Sequence, residues 1–494
     1  MTAPRPVATL VLDGRTLTCC AVAEAVGGPV SVRVDDAALV RIEASHSAAV
    51  AAVERRPVYG RSTGVGANKG VSVDDWPDYA VGLLRSHATS AGELRTPDRV
   101  RAMLLVRLNQ LAAGGSGISP AAVAALAAMI NADALPRVRE FSGIGTGDLS
   151  ALATTALGLL GEAPLPRELP PVRFGVHDAL PFLSSNAATL ADVALAGHRL
   201  QTLARAAITV ATLTAVAVDA NLEAFSPAVA DRLPGDGGTE VCASVTRLCE
   251  PAPPVAVRIQ DAFALRCLPQ VHGSVLDTLG QLEALGDFHL NQAAENPLIL
   301  ALGPDQEAGE EVVHHGLFHL PGVALACDAA AVAVAQSVPL LLGRLAMLND
   351  PLMTGLAPFL GAGRAGASGV MLLEFVAGSS LAVLRSAAVP ASLGTVSISR
   401  GAEDDASFAS RAAVQLFEAC DAYSIALACE LVAAVRAVRM RGLKVPSDGW
   451  GSALAVCAGL PDDLSDRDLT EDVALAQTLL PALAEVAVGR VVSP

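Results

Sequence analysis

Two glycine-rich loops in the first third of the chain hold residues whose types and spacing suggest unusual chemistry. Residues 59–66 read YGRSTGVG, and residues 142–149 read SGIGTGDL. The first loop carries Tyr59, one of only three tyrosines in the chain. The second places the hydroxyl of Thr146 between two glycines, directly before a predicted helix. Together the loops predict an electrophile made from backbone atoms, with a tyrosine base set over it.

The segment Gly145-Thr146-Gly147 could form this electrophile by cyclisation. A glycine on each side of the hydroxyl residue allows a tight kink, so the Gly147 nitrogen can reach the Gly145 carbonyl carbon. Loss of one water closes a five-membered imidazolone, and loss of a second water from Thr146 leaves a conjugated exocyclic double bond. Two simpler interpretations stay open: a turn capping a helix at Asp148, and a nucleotide-binding loop. The latter is disfavoured because residues 131–141 lack the strand that a dinucleotide fingerprint needs.

Tyr59 can serve as a general base only if its pKa falls from the usual value of about 10. Nearby cations or hydrogen bonds would have to cause that fall. Its loop contains three glycines and no bulky apolar anchor, which predicts a lid. The alternative is a tyrosine that packs at a turn.

The rest of the chain predicts a mainly α protein that positions these loops. Its 494 residues exceed what one core usually holds, so two or more lobes are expected. Hydrophobic residues make up 52% and charged residues 17%, which predicts a large dry interior and apolar surface buried between subunits. Residues 8–12 and 30–34 alternate as in a small hairpin or edge sheet. We predict an N-terminal lobe over residues 1–185, carrying both loops, and a helical bundle domain over residues 186–494.

Charge and cysteine content restrict the partners and the compartment. Thirty-four basic against 50 acidic residues leave a net charge of −16, which argues against nucleic acid and anionic membranes. Residues 1–10 show no signal-peptide pattern, and the apolar runs 206–218 and 323–335 are shorter than a membrane span, which predicts buried helices. The nine cysteines have no metal-ligand spacing. They predict free buried thiols in a reducing cytoplasm, without a metal or nucleotide cofactor.

Both loops, in this order and spacing, resemble those of the aromatic amino acid ammonia-lyase and aminomutase family, whose best-known member is histidine ammonia-lyase. That family carries a Tyr-Gly-x-x-Thr-Gly-x-Gly loop and an Ala-Ser-Gly-Asp-Leu segment that cyclises to methylideneimidazolone (MIO). The resemblance runs along nearly the whole chain. Its further matching segments are Ser86-His87-Ala88, QDAFALRCLPQ at residues 260–270, Glu295-Asn296-Pro297, Phe318-His319 and Glu403-Asp404.

The resemblance implies a histidine ammonia-lyase-like fold, with a long central helical bundle and a smaller N-terminal lobe. It implies that Tyr59 removes a proton from the substrate β-carbon and that Arg266 binds the α-carboxylate, for which a bidentate guanidinium is suited. Phe318 would pack beside the prosthetic ring. His87 and Glu403 fall where histidine-specific members read the imidazole, so a histidine-like or other polar side chain fits better than a phenyl ring. The other implied substrate-binding positions are Ser184, Gln260, Phe263 and Asn296.

Taken singly, these residues have simpler explanations. Arg266 in a helical run is most often part of a surface or interface ion pair. His87 on an apolar helix is usually a hydrogen-bonded core histidine, and Glu403 would belong to a solvated acidic turn. Only the ordered set of motifs favours the functional interpretation.

Several positions depart from the family pattern. The triad reads Gly145-Thr146-Gly147, where the family has Ala-Ser-Gly. Glycine for alanine should be mild, whereas threonine would leave a methyl group on the electrophilic carbon, which hinders attack and lowers electrophilicity. Asn186 could replace the family's pocket asparagine only if its helix shifts. Four polar residues of the family are also replaced. Where the family has asparagine, tyrosine, asparagine and glutamine, this chain has Ser184, Phe263, Leu317 and Ala402, respectively.

Three hypotheses about function stay open. The first is a working ammonia-lyase or aminomutase with a threonine-derived imidazolone. The second is an enzyme that keeps Tyr59 and Arg266 but forms no ring, and runs a proton transfer, an addition or a cyclisation on an amino-acid-like ligand. The third is a non-catalytic binding or assembly protein. The resemblance also implies a homotetramer whose active sites are shared between subunits, with a small amino acid or related carboxylate as its ligand.

Overall fold

The structure is a computed structural model that describes residues 9–73, 76–175, 177–301 and 310–490. The helices are α1 (Cys19–Ala25), α2 (Asp36–Arg55), α3 (Trp76–His87), α4 (Pro97–Ala113), α5 (Pro120–Asn131), α6 (Leu149–Leu159), α7 (Ala179–Leu183), α8 (Ala187–Ala217), α9 (Pro227–Ala230), α10 (Gly235–Cys249), α11 (Phe263–Arg266), α12 (Leu268–Leu290), α13 (Pro321–Asn349), α14 (Pro351–Thr354), α15 (Leu372–Ala387), α16 (Ala409–Met440), α17 (Trp450–Val456) and α18 (Thr470–Ala487). The strands are β1 (Thr9–Leu12), β2 (Ser31–Val34), β3 (Ala91–Leu94), β4 (Arg139–Phe141), β5 (Leu298–Ala301) and β6 (Glu310–Val313). The predicted mainly α fold is confirmed.

The strands pair differently from the sequence prediction. β1 and β2 are parallel, with Leu10 opposite Val32, so the predicted hairpin is wrong. Parallel strands need a crossover connection, and α1 lies in the chain between them. The expectation that no strand precedes the second loop is also wrong, since β4 ends at Phe141. β4 pairs antiparallel with β3, however, which is not the parallel βαβ arrangement of a dinucleotide site.

A buried arginine on α4 holds together the segments that later form the site. Residues 100–112 of α4 are buried without interruption. At the centre of this run, Arg107 donates from Nη1 to Glu295 Oε1 at 2.8 Å. Its other nitrogens donate to the carbonyl oxygens of Pro181 and Phe182. Because a buried charge must be paired and hydrogen-bonded, this network ties α7 and the segment around Glu295 to α4.

The chain forms two compact units, each built from three stretches. The first unit comprises Met1–His198, Leu282–Cys327 and Pro390–Val414, and the second comprises Arg199–Gln281, Asp328–Val389 and Gln415–Pro494. The sequence predicts a single boundary, between residues 185 and 186. The structure instead groups two later stretches with the N-terminal part, because contacts form between segments far apart in the chain. The two-domain division at that boundary stays a prediction.

Three apolar segments are longer than the sequence suggested. Ala179–Ala217, Pro321–Asn349 and Leu372–Leu393 are long and apolar enough to cross a membrane, by length and composition only. The prediction that runs 206–218 and 323–335 fall short of a span is therefore wrong about helix length. In the first segment, 83% of an 18-residue apolar stretch is buried, as predicted for a core helix. In the other two segments the buried share of such a stretch is 50% and 33%.

The cysteines form no disulfide bond, and all nine lie in the described part of the chain. Seven are buried, whereas Cys20 and Cys267 are partly exposed. Burial raises the pKa of thiols such as Cys249 to about 12, so they stay protonated and unreactive at neutral pH.

Candidate active site

Both glycine-rich loops of the first unit border one cavity of about 660 Å³. Its volume falls in the range of small-molecule sites. Residues that the sequence did not single out also line it, among them Lys69 and His314. The sequence-predicted residues in its wall are Tyr59, His87, Thr146, Ser184, Asn296, Phe318 and Glu403.

The Tyr59 loop is tightly folded on itself. Gly60 has a φ of +66°, and a side chain there would overlap Leu180, so the turn requires glycine. The Tyr59 hydroxyl accepts a hydrogen bond from the Gly66 nitrogen at 2.7 Å. The Tyr59 nitrogen donates to His314 Nε2 at 3.2 Å. These bonds orient the phenol within the cavity.

The electrostatic surroundings of Tyr59 oppose its use as a base. Burial raises the pKa of Tyr59, and the charge of Glu403 adds to the rise. The hydrogen bond from the Gly66 nitrogen acts in the opposite direction. A phenolate at this position therefore needs a cation from elsewhere, such as a bound ligand or a neighbouring side chain.

Both glycines of the triad loop have a left-handed backbone. Gly145 has a φ of +93° and Gly147 a φ of +116°, both in the region that favours glycine. The Thr146 hydroxyl donates to Glu403 Oε2 at 2.8 Å. The Gly145 carbonyl accepts from Ser407 Oγ at 3.0 Å. Thr146 thus lies beside a carboxylate, and the carbonyl that would be attacked is already hydrogen-bonded.

Gly145 is required by its surroundings as well as by its φ. A Cβ atom there would overlap Ser407 Oγ and lie 2.8 Å from the Phe408 nitrogen. Glycine in place of the family's alanine was expected to be a mild change. The opposite substitution, from Gly145 to alanine in this chain, is not mild. In this chain an alanine at position 145 would require both Ser407 and the backbone at the start of α16 to shift.

Asp148 does not cap α6 with its side chain, although it directly precedes that helix. Its carboxylate accepts instead from the nitrogen and hydroxyl of Thr189, at 2.7 Å and 3.0 Å. Its own nitrogen donates to the Ser185 carbonyl at 2.7 Å. Burial raises the pKa of Asp148, while the Thr189 bonds and the charge of Arg95 lower it. Asp148 is thus the N-cap residue of α6, as the sequence predicted, but its side chain makes no cap hydrogen bond and instead anchors the triad to the start of α8.

Glu403 and His87 reach the cavity from two different elements. A bridge pairs Ile398 with Glu403, and the Ile398 nitrogen donates to the Glu403 carbonyl at 2.8 Å. Between them, Ser399 and Arg400 have positive φ values, which close a tight turn. His87 ends α3, and its Nδ1 lies 2.9 Å from the Leu83 carbonyl. Local backbone contacts therefore orient both side chains.

Backbone hydrogen bonds position the remaining polar residues in the wall. Ser184 Oγ accepts from the Asn296 nitrogen at 3.3 Å, and Asn296 Oδ1 accepts from the His315 nitrogen at 2.9 Å. Asn186, the candidate replacement amide, is buried and donates to the Phe318 carbonyl. Asn186 therefore holds the Phe318 backbone in place.

Gln260, Phe263 and Arg266 lie in the second unit and form a cluster of their own. Arg266 Nη1 donates to Gln260 Oε1 at 3.0 Å. The Arg266 guanidinium carbon lies 4.7 Å from the centre of the Phe263 ring, a cation–π distance. Phe263 is 65% exposed, so this cluster reaches the surface of its unit. The structure thus brings seven predicted residues together in one cavity of the first unit, and the three of the second unit contact one another.

Sequence reasoning missed Lys69, His314 and Ser407. Lys69 is one of only two lysines in the chain, and that rarity was an available signal. The adjacent histidines at 314 and 315 were a second signal. No sequence signal identified Ser407, because its relevance depends on a hydrogen bond to the Gly145 carbonyl, 262 positions earlier in the chain.

No metal site was predicted, and within the described ranges no group of three or more histidine, cysteine or acidic side chains could hold a metal ion.

Comparisons with known proteins agree with the architecture. A family model described as "Aromatic amino acid lyase" matches residues 17–457. Histidine ammonia-lyase of Gloeobacter violaceus is 33% identical over 511 aligned residues, which cover 97% of this chain and 98% of that protein. The crystal structure of histidine ammonia-lyase from Trypanosoma cruzi is 25% identical, with a TM-score of 0.87, and covers 98% of this chain and 96% of its own. Tyrosine aminomutase from Streptomyces globisporus is 25% identical, with a TM-score of 0.89 and 99% coverage of both chains.

The helical fold and these relatives define the protein as a carbon–nitrogen lyase or aminomutase. The family model spans most of the length of the chain. The chain belongs to the aromatic amino acid lyase family, as its motifs predicted.

Proposed function

We propose that this protein eliminates ammonia from a histidine-like or aromatic L-amino acid. One observation carries the proposal: Tyr59, Thr146, Phe318 and Glu403 line the same cavity of about 660 Å³. The relatives named histidine ammonia-lyase support the substrate class. Glu403 and His87, which both line the cavity, favour a substrate side chain that forms polar hydrogen bonds.

In this mechanism Tyr59 takes the β-proton of the substrate. Its pKa is raised by burial, so the phenolate depends on a cation in the site. Lys69, which lines the same cavity, and the ammonium group of the substrate are two such cations. Glu403 accepts hydrogen bonds from the substrate side chain, and His87 binds its ring.

We propose Arg266 as the group that binds the α-carboxylate. Its side chain is pre-oriented by Gln260 and Phe263, which reduces the entropy lost on binding. The exposed cluster suits a residue that one subunit supplies to the site of another. We therefore also propose the homotetramer with shared active sites that the family resemblance implies, in the cytoplasm.

The residues around Thr146 fit an imidazolone formed from residues 145–147. Both flanking glycines have a positive φ, which glycine adopts readily, and the Gly145 carbonyl accepts a hydrogen bond from Ser407. Once formed, the group would supply an electrophilic carbon that withdraws electrons from the amine-bearing substrate. Phe318 and Ser184 line the same cavity as Thr146. The threonine methyl would narrow access to the reactive carbon.

A second candidate is an enzyme of the same fold that forms no ring and runs a different proton transfer, addition or cyclisation. The hydrogen bond between Thr146 and Glu403 favours it, because it gives the hydroxyl a stable partner. A non-catalytic binding protein is the third reading.

The test is to incubate the purified protein with L-histidine, L-phenylalanine and L-tyrosine. Released ammonia, the α,β-unsaturated acid and the β-amino acid are measured, the last of which identifies aminomutase activity. Tyr59→Phe should lower kcat by about 10²- to 10⁴-fold, as expected for loss of a general base. Tyr79→Phe, which removes a hydroxyl on neighbouring α3, is the matched control and should leave kcat unchanged.

The possible results distinguish the three hypotheses about function. Ammonia release that depends on Tyr59 supports the proposal, and full activity of Tyr59→Phe would remove the base assignment. If neither ammonia nor a β-amino acid forms but an amino acid raises the thermal midpoint, the second candidate is supported. If no carboxylate ligand shifts the midpoint, the third holds.

A further inference from the structure

A single hydroxyl contacts the carbonyl oxygen at which ring closure would begin. Ser407 is 4% exposed, and its Oγ donates to the Gly145 carbonyl oxygen at 3.0 Å. The same Oγ accepts from the Ala409 nitrogen at 3.4 Å. The hydroxyl therefore connects a backbone N–H to the Gly145 carbonyl, with its own proton directed at that oxygen.

We propose that Ser407 promotes the cyclisation of residues 145–147 by stabilising the negative charge that develops on the Gly145 oxygen. This inference rests on the proposed imidazolone and adds the group that drives its formation. A fixed donor aimed at a developing oxyanion is the arrangement that stabilises acyl-transfer transition states in enzymes. Here the acyl group would be part of the protein's own backbone.

The start of a long helix reinforces the donor. α16 begins at Ala409 and runs for 32 residues. The N-terminus of a helix carries roughly half a positive elementary charge. The bond from the Ala409 nitrogen to Ser407 Oγ lies at this end, so the hydroxyl is polarised towards Gly145. Its low exposure keeps water from screening the interaction.

The triad loop is tied to this helix start at more than one point. The Phe408 nitrogen donates to the Ile144 carbonyl at 3.0 Å. A Cβ on Gly145 would lie 2.8 Å from the Phe408 nitrogen and 3.0 Å from the Ala409 nitrogen. Glycine thus lets the carbonyl approach the helix start closely. Glycine in place of the family's alanine therefore allows the close contact between residue 145 and Ser407.

The covalent step balances without any added reactant. The Gly147 nitrogen attacks the Gly145 carbonyl carbon, a new N–C bond forms, and the carbonyl π electrons move to the oxygen that Ser407 contacts. This oxygen leaves as water with the two amide protons of Thr146 and Gly147, and a C=N bond forms to the Thr146 nitrogen. The second water takes the Thr146 hydroxyl and its α-proton.

The test follows intact mass over time after cell-free synthesis of the full chain. Ser407→Ala should slow the first loss of water by about 10²- to 10³-fold, the usual effect of removing one oxyanion donor. Ser407→Thr, which retains a hydroxyl, should cyclise nearly as wild type. Ser410→Ala is the matched control, because Ser410 lies on the same segment and its Oγ is 3.5 Å from the Gly143 carbonyl.

Circular dichroism and the thermal midpoint show that each variant is folded. If Ser407→Ala does not fold, Ser407→Cys retains the volume with a much weaker donor, and it should also cyclise slowly. A folded Ser407→Ala or Ser407→Cys chain that loses water at the wild-type rate would overturn the inference and leave the proposed function intact. An unmodified wild-type mass would overturn the imidazolone and this inference together.

Discussion

Restoring the family's alanine at residue 145 should destabilise this protein. Family resemblance alone suggests the opposite, because substitutions towards a family consensus commonly stabilise. Gly145 has a φ of +93°, however, and an added Cβ would overlap Ser407 Oγ and lie 2.8 Å from the Phe408 nitrogen. That nitrogen directly precedes α16, so the backbone cannot move aside without disturbing the helix.

The size of the effect follows from two separate contributions. A left-handed backbone costs an L-residue roughly 1–2 kcal/mol. Forcing an extra methyl group into packed surroundings costs about 1–3 kcal/mol more. Gly145→Ala should therefore lower the free energy of unfolding by about 2–5 kcal/mol. Gly147→Ala separates the two contributions, because Gly147 has a φ of +116° but its nearest neighbour would lie 3.7 Å away.

Urea unfolding of wild type, Gly145→Ala and Gly147→Ala measures the prediction, with intact mass recorded so that samples in the same chemical state are compared. Gly147→Ala should lose only the backbone contribution of about 1–2 kcal/mol. Equal losses in the two variants would show that the contact with the start of α16 is absent. A Gly145→Ala chain as stable as wild type would refute the structural reasoning altogether.

Two further substitutions test the electrostatics of the site and of its scaffold. Glu403→Gln should lower the pKa of Tyr59, because the Glu403 charge contributes to the raised pKa. In a spectrophotometric titration the phenolate would then form at lower pH. The limb of the pH–rate profile that depends on the phenolate would also move to lower pH. Asp404→Asn, an exposed neighbour of equal charge, should leave the titration unchanged, and an equal shift in both variants would remove the specific role of Glu403. Arg107→Met should cost about 3–5 kcal/mol in chemical unfolding, because it leaves the Glu295 carboxylate buried without its partner. Adding Glu295→Gln should recover part of that loss, and a loss below about 1 kcal/mol in the single variant would contradict the network.

Much of the candidate site could be predicted from local sequence alone. Tyr59 stands out because it begins a glycine-rich loop, and Thr146 because glycines flank it. Glycine is favoured wherever the backbone must turn at positive φ. His87 and Glu403 were assigned only through the ordered motifs, since each alone has an ordinary structural explanation. Asp148 was correctly placed at the start of α6, but local sequence could not show that its carboxylate is bound by Thr189, 41 positions away.

The chain by itself therefore determined the helical class, the family and the residue types that border the cavity, because helix periodicity and glycine turns are local properties. Tertiary structure alone decided which distant groups meet. Ser407 touches the Gly145 carbonyl, and Arg107 pairs with Glu295, because packing brings together segments separated by hundreds of residues. The spacing of residues along the chain does not indicate which distant residues come into contact. Those contacts are selected by burial and hydrogen bonding, which form only when the chain folds.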